Sequence, residues 1–143
     1  MATLKVNITE AITLNGSNYG AKNALSVTGI NGVDKRLVTV LHSAKQQIYA
    51  GGSTVAQGTY ISANVKYIRI TNLHASRFVL LHFEGNAHYS QHKLEAGKSF
   101  IIGTTVGFDN NADLDNFSSE TITKIDAKAD TGSVDLEMYI ATA

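Results

Sequence analysis

Short segments in which apolar and polar residues alternate constrain the fold of this chain more than any other feature. TLKVNIT (3–9) and SVDLEMYIA (133–141) place apolar side chains at every second position, and VKYIRIT (65–71) alternates Val65, Tyr67 and Arg69 with Ile68 and Ile70. A period of two over five or more residues is typical of a strand with one buried face and one wet face. No stretch sustains the spacing of an amphipathic helix, and SAKQQIYA (43–50) could form one helical turn at most. The pattern predicts an all-β protein.

Denser apolar runs and polar connectors complete the strand pattern. RLVTVL (36–41) and RFVLLHF (77–83) are typical of strands covered on both sides, and FII (100–102) and TITKIDAKA (121–129) bring the total to about eight candidate strands. Connectors rich in Gly, Asn, Asp and Ser lie at 14–20, 28–34, 50–58, 84–86, 95–98 and 129–133. Regularly spaced short strands with such turns predict a sandwich or barrel. We predict an antiparallel β-sandwich of jelly-roll type with about eight strands.

Length and charge limit the classes of protein to consider. The 143 residues are the size of one domain, so we expect a single β-sandwich domain over 1–143. There is no cysteine, which excludes disulfides and thiolate chemistry and fits a reducing compartment. Twelve basic and twelve acidic residues balance, so nucleic acid is not expected as a partner. The chain starts without a signal-peptide core, and no apolar run reaches the roughly 20 residues of a spanning helix, so a membrane is not expected either.

Three of the five histidines, His82, His88 and His92, lie close together in the segment 78–94, with Glu84 among them. Imidazoles and a carboxylate on facing strands could hold zinc or iron. The cupin barrel enzymes use such a set, but their motif has two histidines one residue apart followed by a glutamate. This sequence does not match that motif, because Glu84 precedes His88 and three residues separate His88 from His92. Histidines on a polar hairpin are more often surface residues.

The acidic segment DNNADLDNFSSE (109–120) has the ligand spacing of a calcium-binding EF-hand loop. Positions 1, 3, 5, 7 and 12 are Asp109, Asn111, Asp113, Asp115 and Glu120. Position 6, which is normally glycine, is Leu114, and the preceding segment is strand-like where an EF-hand requires a helix. Calcium binding on a β-scaffold is one interpretation of this segment. Its abundance of turn-forming Asp and Asn is the other.

No motif for catalysis is present, and we expect neither catalytic residues nor a cofactor. The sequence has no GxSxG nucleophile elbow, and the glycine-rich AGGSTVAQG (50–58) lacks the GK[ST] of a phosphate loop. Asp135 and Glu137 alternate with the apolar residues of their strand and therefore occupy its outward face. The sequence thus indicates a protein that is not an enzyme.

Two stretches resemble a known group of proteins. VKYIRITNLHASRFVLLHF (65–83) followed by KLEAGKSFII (93–102) resembles small β-sandwich structural proteins of tailed bacteriophages, particularly marine ones. In that group a strand ending in RITN, a polar insert and a second apolar strand lead to an L-x-x-G-x-S-F turn. The segment 122–143, with its A-x-A-D-T-G hairpin and D-L-E-x-Y-I-A strand, resembles the same group. The resemblance covers roughly residues 60–143, with a weaker similarity in residues 8–20. It includes no catalytic or ligand-binding motif.

The resemblance implies a virion component made and assembled in the host cytoplasm. Our first hypothesis is a capsid decoration or cement protein that binds and stabilises the shell of the major capsid protein. It would form a dimer or trimer and contact the shell through loops such as 43–59 and 103–120. A second hypothesis is a structural component of the tail, neck or fibre. A third is a carbohydrate-binding β-sandwich, with calcium in 109–120 and a sugar-stacking face of tyrosines. The tyrosines near turns are Tyr19, Tyr49, Tyr60 and Tyr89.

Overall fold

The computed structural model describes residues 1–102, 106–109 and 119–143, and within these ranges the chain is all-β. A single 3-10 turn, Ser62–Asn64, accompanies the strands. None of the helical segments described has the length and apolarity needed to cross a bilayer. In chain order the strands are β1 (Ala2–Glu10), β2 (Thr13–Leu14), β3 (Ser17–Asn18), β4 (Ala21–Ile30), β5 (Gly32–Val40), β6 (Gln46–Gly52), β7 (Tyr60–Ile61), β8 (Val65–Asn72), β9 (Val79–Glu84), β10 (Tyr89–Leu94), β11 (Ser99–Ile102), β12 (Val106–Asp109), β13 (Ser119–Thr121), β14 (Lys124–Ala129) and β15 (Val134–Thr142).

Two sheets form the body of the molecule. Sheet I has five strands in the order β10-β9-β14-β6-β7, and sheet II has four in the order β11-β8-β15-β5. Every pairing in them is antiparallel except the short parallel contact of β6 with β7. Their apolar faces pack against each other, which confirms the predicted antiparallel β-sandwich.

The pairing of the eight main strands is nested. β5 pairs with β15, β6 with β14, β8 with β11, and β9 with β10. The first four strands therefore run antiparallel to the last four, as in one long folded-over hairpin. Rolling that hairpin brings β15 beside β8 and β14 beside β9. This is the jelly-roll arrangement that was predicted from the sequence.

The core lies between the two sheets and comes from the inward-facing positions of the alternating segments. Side chains there with no exposed surface are Val40, Ile70, Val79, Leu81, Ile125, Leu136, Met138 and Ile140. Fully burying each one stabilises the fold by about 1.5–3 kcal/mol. On the outward face of β15, as predicted, Glu137 pairs with Lys35 at 3.2 Å and also with Arg69.

Strand β6 replaces the single helical turn that the sequence allowed at 43–50. The pattern there is obscured because Ile48 and Tyr49 are adjacent and both buried. The register explains this: Ile125 faces Tyr49 and Asp126 faces Gln47, so Ile48 is an extra residue in a β-bulge. A bulge breaks strict alternation, and with it the signal of a strand.

A long hairpin precedes the jelly roll and lies outside both sheets. β1 pairs with β4, and β2 with β3 continues the ribbon to a two-residue turn at Asn15 and Gly16, with φ of 51° and 80°. Positive φ at both central positions is the condition of the type I′ turn that suits a hairpin. We call residues 2–30 the arm. Its base packs on Tyr67 and Ala141 of sheet II, whereas every residue of 7–26 is exposed.

Candidate functional site

The β9–β10 hairpin separates the three histidines instead of bringing them together. His82 faces outward from sheet I and stacks on Tyr89, with ring centroids 5.1 Å apart. His92 lies on the opposite face, since it pairs in register with Leu81 and contacts Phe83 and Phe100. Two side chains on opposite faces of one sheet cannot ligate the same ion.

His88 belongs to the turn before β10 and is paired with Glu120. The Glu120 side chain is only 6% exposed. It accepts hydrogen bonds from the backbone N–H groups of Ala87 and His88 at 3.2 and 3.3 Å, and it lies 3.3 Å from Nδ1 of His88. Burial opposes its ionisation, but these bonds outweigh burial and lower the pKa of Glu120. The pair fastens the β9–β10 turn to β13.

The calcium candidates fall mostly outside the described part of the chain. Asn111, Asp113 and Asp115 lie there entirely, and Asp109 is the last residue of β12. Of the proposed ligands only Glu120 has a described environment, and both of its oxygens already accept hydrogen bonds from the 85–88 turn. Within the residues that the structure covers, no three His, Asp or Glu side chains are grouped as metal ligands. Calcium binding by 109–120 stays a prediction.

A cluster of charged residues covers the outward face of sheet I. Asp126 is buried there and pairs with Lys45 at 3.4 Å and Lys124 at 3.3 Å. Lys124 also binds Glu84 at 2.7 Å. This hydrogen bond is the main cause that lowers the pKa of Glu84 and raises that of Lys124, so both stay charged at neutral pH. A general acid or base works best with a pKa near the ambient pH, which these groups do not have.

A hollow of about 220 Å³ lies beside this charged cluster. Its lining includes the polar residues His82, Gln91 and Lys128 and the apolar residues Leu80 and Leu81. It is open to solvent, mostly apolar, and smaller than the roughly 300–1,000 Å³ typical of small-molecule sites.

The four tyrosines considered for sugar stacking do not share one face. Tyr49 is buried and stacks on Tyr60, with ring centroids 5.4 Å apart. The Tyr60 hydroxyl donates to Asp34, and burial with this bond raises the pKa of Tyr60 to about 12. Tyr89 is exposed beside the hollow, and Tyr19 is exposed near the tip of the arm. Of the four, Tyr49 lines a separate concave surface, and Tyr89 is linked to the hollow through His82.

The sequence motifs missed the surface that stands out most in the structure, which is the exposed part of the arm. Large apolar side chains there are exposed over about 40–65% of their area: Ile8, Ile12, Leu14, Tyr19 and Leu25. Their combined exposed surface is on the order of a few hundred Å², and an apolar patch of this size indicates an interaction site where it is contiguous. The signal was available, since alternation in 3–9 predicts a buried face, and no described part of the core covers its far end.

No protein-family model matches the sequence, and no curated protein sequence matches it.

Proposed function

We propose that this protein is a virion structural protein, and specifically a capsid decoration or cement protein that binds and stabilises the shell of the major capsid protein. The observation that carries the proposal is the arm, because it holds large apolar side chains away from the core. Such side chains gain free energy when a neighbouring protein surface covers them. A protein that acts by contact with its neighbours needs this kind of surface.

The resemblance to phage structural proteins supports the same proposal from the other end of the chain. Most of its residues fall on the main strands β8 to β11 and on β14 and β15, and the fainter likeness in 8–20 falls on the arm. The jelly-roll fold itself does not distinguish between these functions, because viral capsid proteins, lectins and cupins all have it.

The test is quantitative mass spectrometry of purified virus particles from cells that produce this protein. We expect it in the particles, in an amount that is a simple symmetric multiple of the major capsid protein. An amount equal to one ring per particle would assign the protein to the tail, neck or fibre instead. Its absence from the particles would overturn both forms of the proposal.

A carbohydrate-binding module is the second candidate, and one observation favours it. Tyr89 stacks on His82, which lines the hollow together with Gln91. An exposed aromatic face next to an amide is a combination that could hold a sugar ring. Glycan-array binding that is lost in Tyr89→Ala but kept in Tyr19→Ala would establish it. Equal binding by the two variants, or none by the wild type, would rule it out.

A further inference from the structure

A groove of about 440 Å³ runs along one edge of the arm. One wall consists of five consecutive residues of β1, Leu4 to Ile8. The other is the outward face of sheet II, with Tyr67, Arg69, Ser99, Ile101 and Tyr139. Consecutive strand residues point to opposite faces, so a groove that touches all five follows the backbone edge of the strand.

That edge of β1 is open in the described residues. β1 pairs with β4, and this pairing uses only one of its two edges. The other edge presents a row of backbone donors and acceptors, which is a template for another strand. Proline is a common protection of such edges, and the whole chain contains none. The groove is therefore shaped for an added strand whose side chains would rest on sheet II.

We propose that the added strand is β1 of a second copy, paired antiparallel about a two-fold axis at Asn7. This pairing joins the two arms into one four-stranded ribbon, β4-β1-β1-β4. A two-fold contact occupies both open edges at once and closes the assembly, whereas a head-to-tail contact would leave an edge free. The balanced net charge of the chain opposes such pairing little.

The side chains of β1 are compatible with this register. With the axis at Asn7, Val6 of one copy lies opposite Ile8 of the other, and this apolar pair occurs twice. Lys5 lies opposite Thr9, so no like charges face each other, whereas an axis at Lys5 would set two ammonium groups side by side.

The same register provides cover for Ile8. Leu4 and Val6 are half-buried on their own core, and Ile8 is 42% exposed one step further out. In the proposed dimer Ile8 lies next to Val6 of the second copy and above the tyrosines on which that Val6 rests. Ile101, exposed across the groove, is covered in the same way. The inference does not depend on the proposed function, because it concerns two copies of this chain alone.

The absence of cysteine makes the axis directly testable. Asn7→Cys places one thiol per chain at the axis, where opposite Cβ atoms are about 4.5–5.5 Å apart, close enough for a disulfide after small adjustment. The control Asn23→Cys is equally exposed but lies on β4. We expect Asn7→Cys to become a disulfide-linked dimer on mild oxidation and Asn23→Cys to cross-link at least tenfold less. Equal cross-linking of the two variants would overturn the proposal.

A second experiment measures association without a cross-link. We expect the wild type to have the mass of two chains in analytical ultracentrifugation, and Ile8→Lys to have the mass of one chain at the same concentration. The control is Leu37→Lys on β5, which adds the same charge at an exposed apolar position away from the groove. It should keep the dimer mass. A wild-type mass of one chain at the highest soluble concentration would overturn the proposal and leave the groove to a strand of another protein.

Discussion

Asn72 is the least exposed of the buried polar residues in the described part of the chain. Its side chain is 0% exposed, and its Nδ2 donates to the carbonyl oxygens of Arg77 and Leu94, while its Oδ1 accepts from the N–H of His74. One amide thus connects the end of β8 to the turn before β9 and to the end of β10. The sequence pattern does not distinguish Asn72, because a lone Asn at the end of a strand is a common turn residue.

Replacing Asn72 with Asp keeps the shape but removes the donor. The two carbonyl groups would then face a carboxylate in a buried site, and we expect the free energy of unfolding to fall by about 3 kcal/mol. Urea denaturation followed by circular dichroism measures this. Asn23→Asp is the matched control in the exposed arm and should change stability by less than about 0.5 kcal/mol. A loss at Asn72 no larger than at Asn23 would contradict the role assigned to the amide.

Glu120 makes the stability of the fold depend on pH. Its pKa in the folded protein lies below the ordinary value of 4.5, so the unfolded chain binds its proton first as pH falls. Its contribution is therefore fully present above pH 4.5 and is lost as pH drops through the lower folded pKa. Glu120→Gln lacks this titration. We expect acidification below pH 4.5 to lower the melting temperature of the wild type more than that of Glu120→Gln, and equal shifts would exclude the contribution.

At the scale of single strands, the alternation of apolar and polar residues predicted well where the strands lie and which of their side chains face the core. For β15 it placed Leu136 and Met138 inside and Glu137 outside, as found. It failed at β6, where the bulge at Ile48 buries two neighbours. It also gave no reason to join 21–30 to 3–9, because β4 shows only Leu25 and Val27 at alternate positions and contacts solvent along most of its length. A strand that buries little surface leaves little pattern in its sequence.

The two faces of sheet II should respond very differently to the loss of a leucine. Leu136 on β15 is 0% exposed, whereas Leu37 on the neighbouring β5 is 68% exposed on the outer face. We expect Leu136→Ala to cost about 3 kcal/mol of unfolding free energy, because it removes apolar contacts and leaves a cavity. Leu37→Ala should cost less than about 0.5 kcal/mol. Chemical denaturation of both variants is the measurement, and similar losses would contradict the inward placement of β15.

At the scale of the whole molecule, the fold class followed from the sequence, but the candidate surface did not. Periodicity reveals which face of a strand is buried, and hence that 133–141 belongs to a sandwich. It does not reveal what covers the far end of 3–9, because a core strand and a projecting arm can have the same alternation of apolar and polar residues. The three histidines show the same limit. They are close in sequence, but His82 and His92 lie on opposite faces of the sheet. His92 pairs with Leu81, the residue before His82, and neighbouring residues of a strand point to opposite faces.

We expect the chain to unfold in one cooperative step. Both sheets contain strands from the first and second halves of the chain, so neither sheet can persist without the other. Scanning calorimetry should show a single transition with an enthalpy of about 100 kcal/mol near 60 °C, by the usual scaling with chain length. Two separate transitions would indicate that the arm or one sheet melts independently.

The nested strand pairing also sets the order in which the protein can be completed during synthesis. β9 and β10 are neighbours in the chain and can pair as soon as both have left the ribosome. β5, by contrast, waits for β15, and Gly32 meets Thr142 across 110 residues of chain. Contacts of such high sequence separation form slowly. Until β15 emerges, the edge of β5 that pairs with it is therefore open to any neighbouring nascent chain.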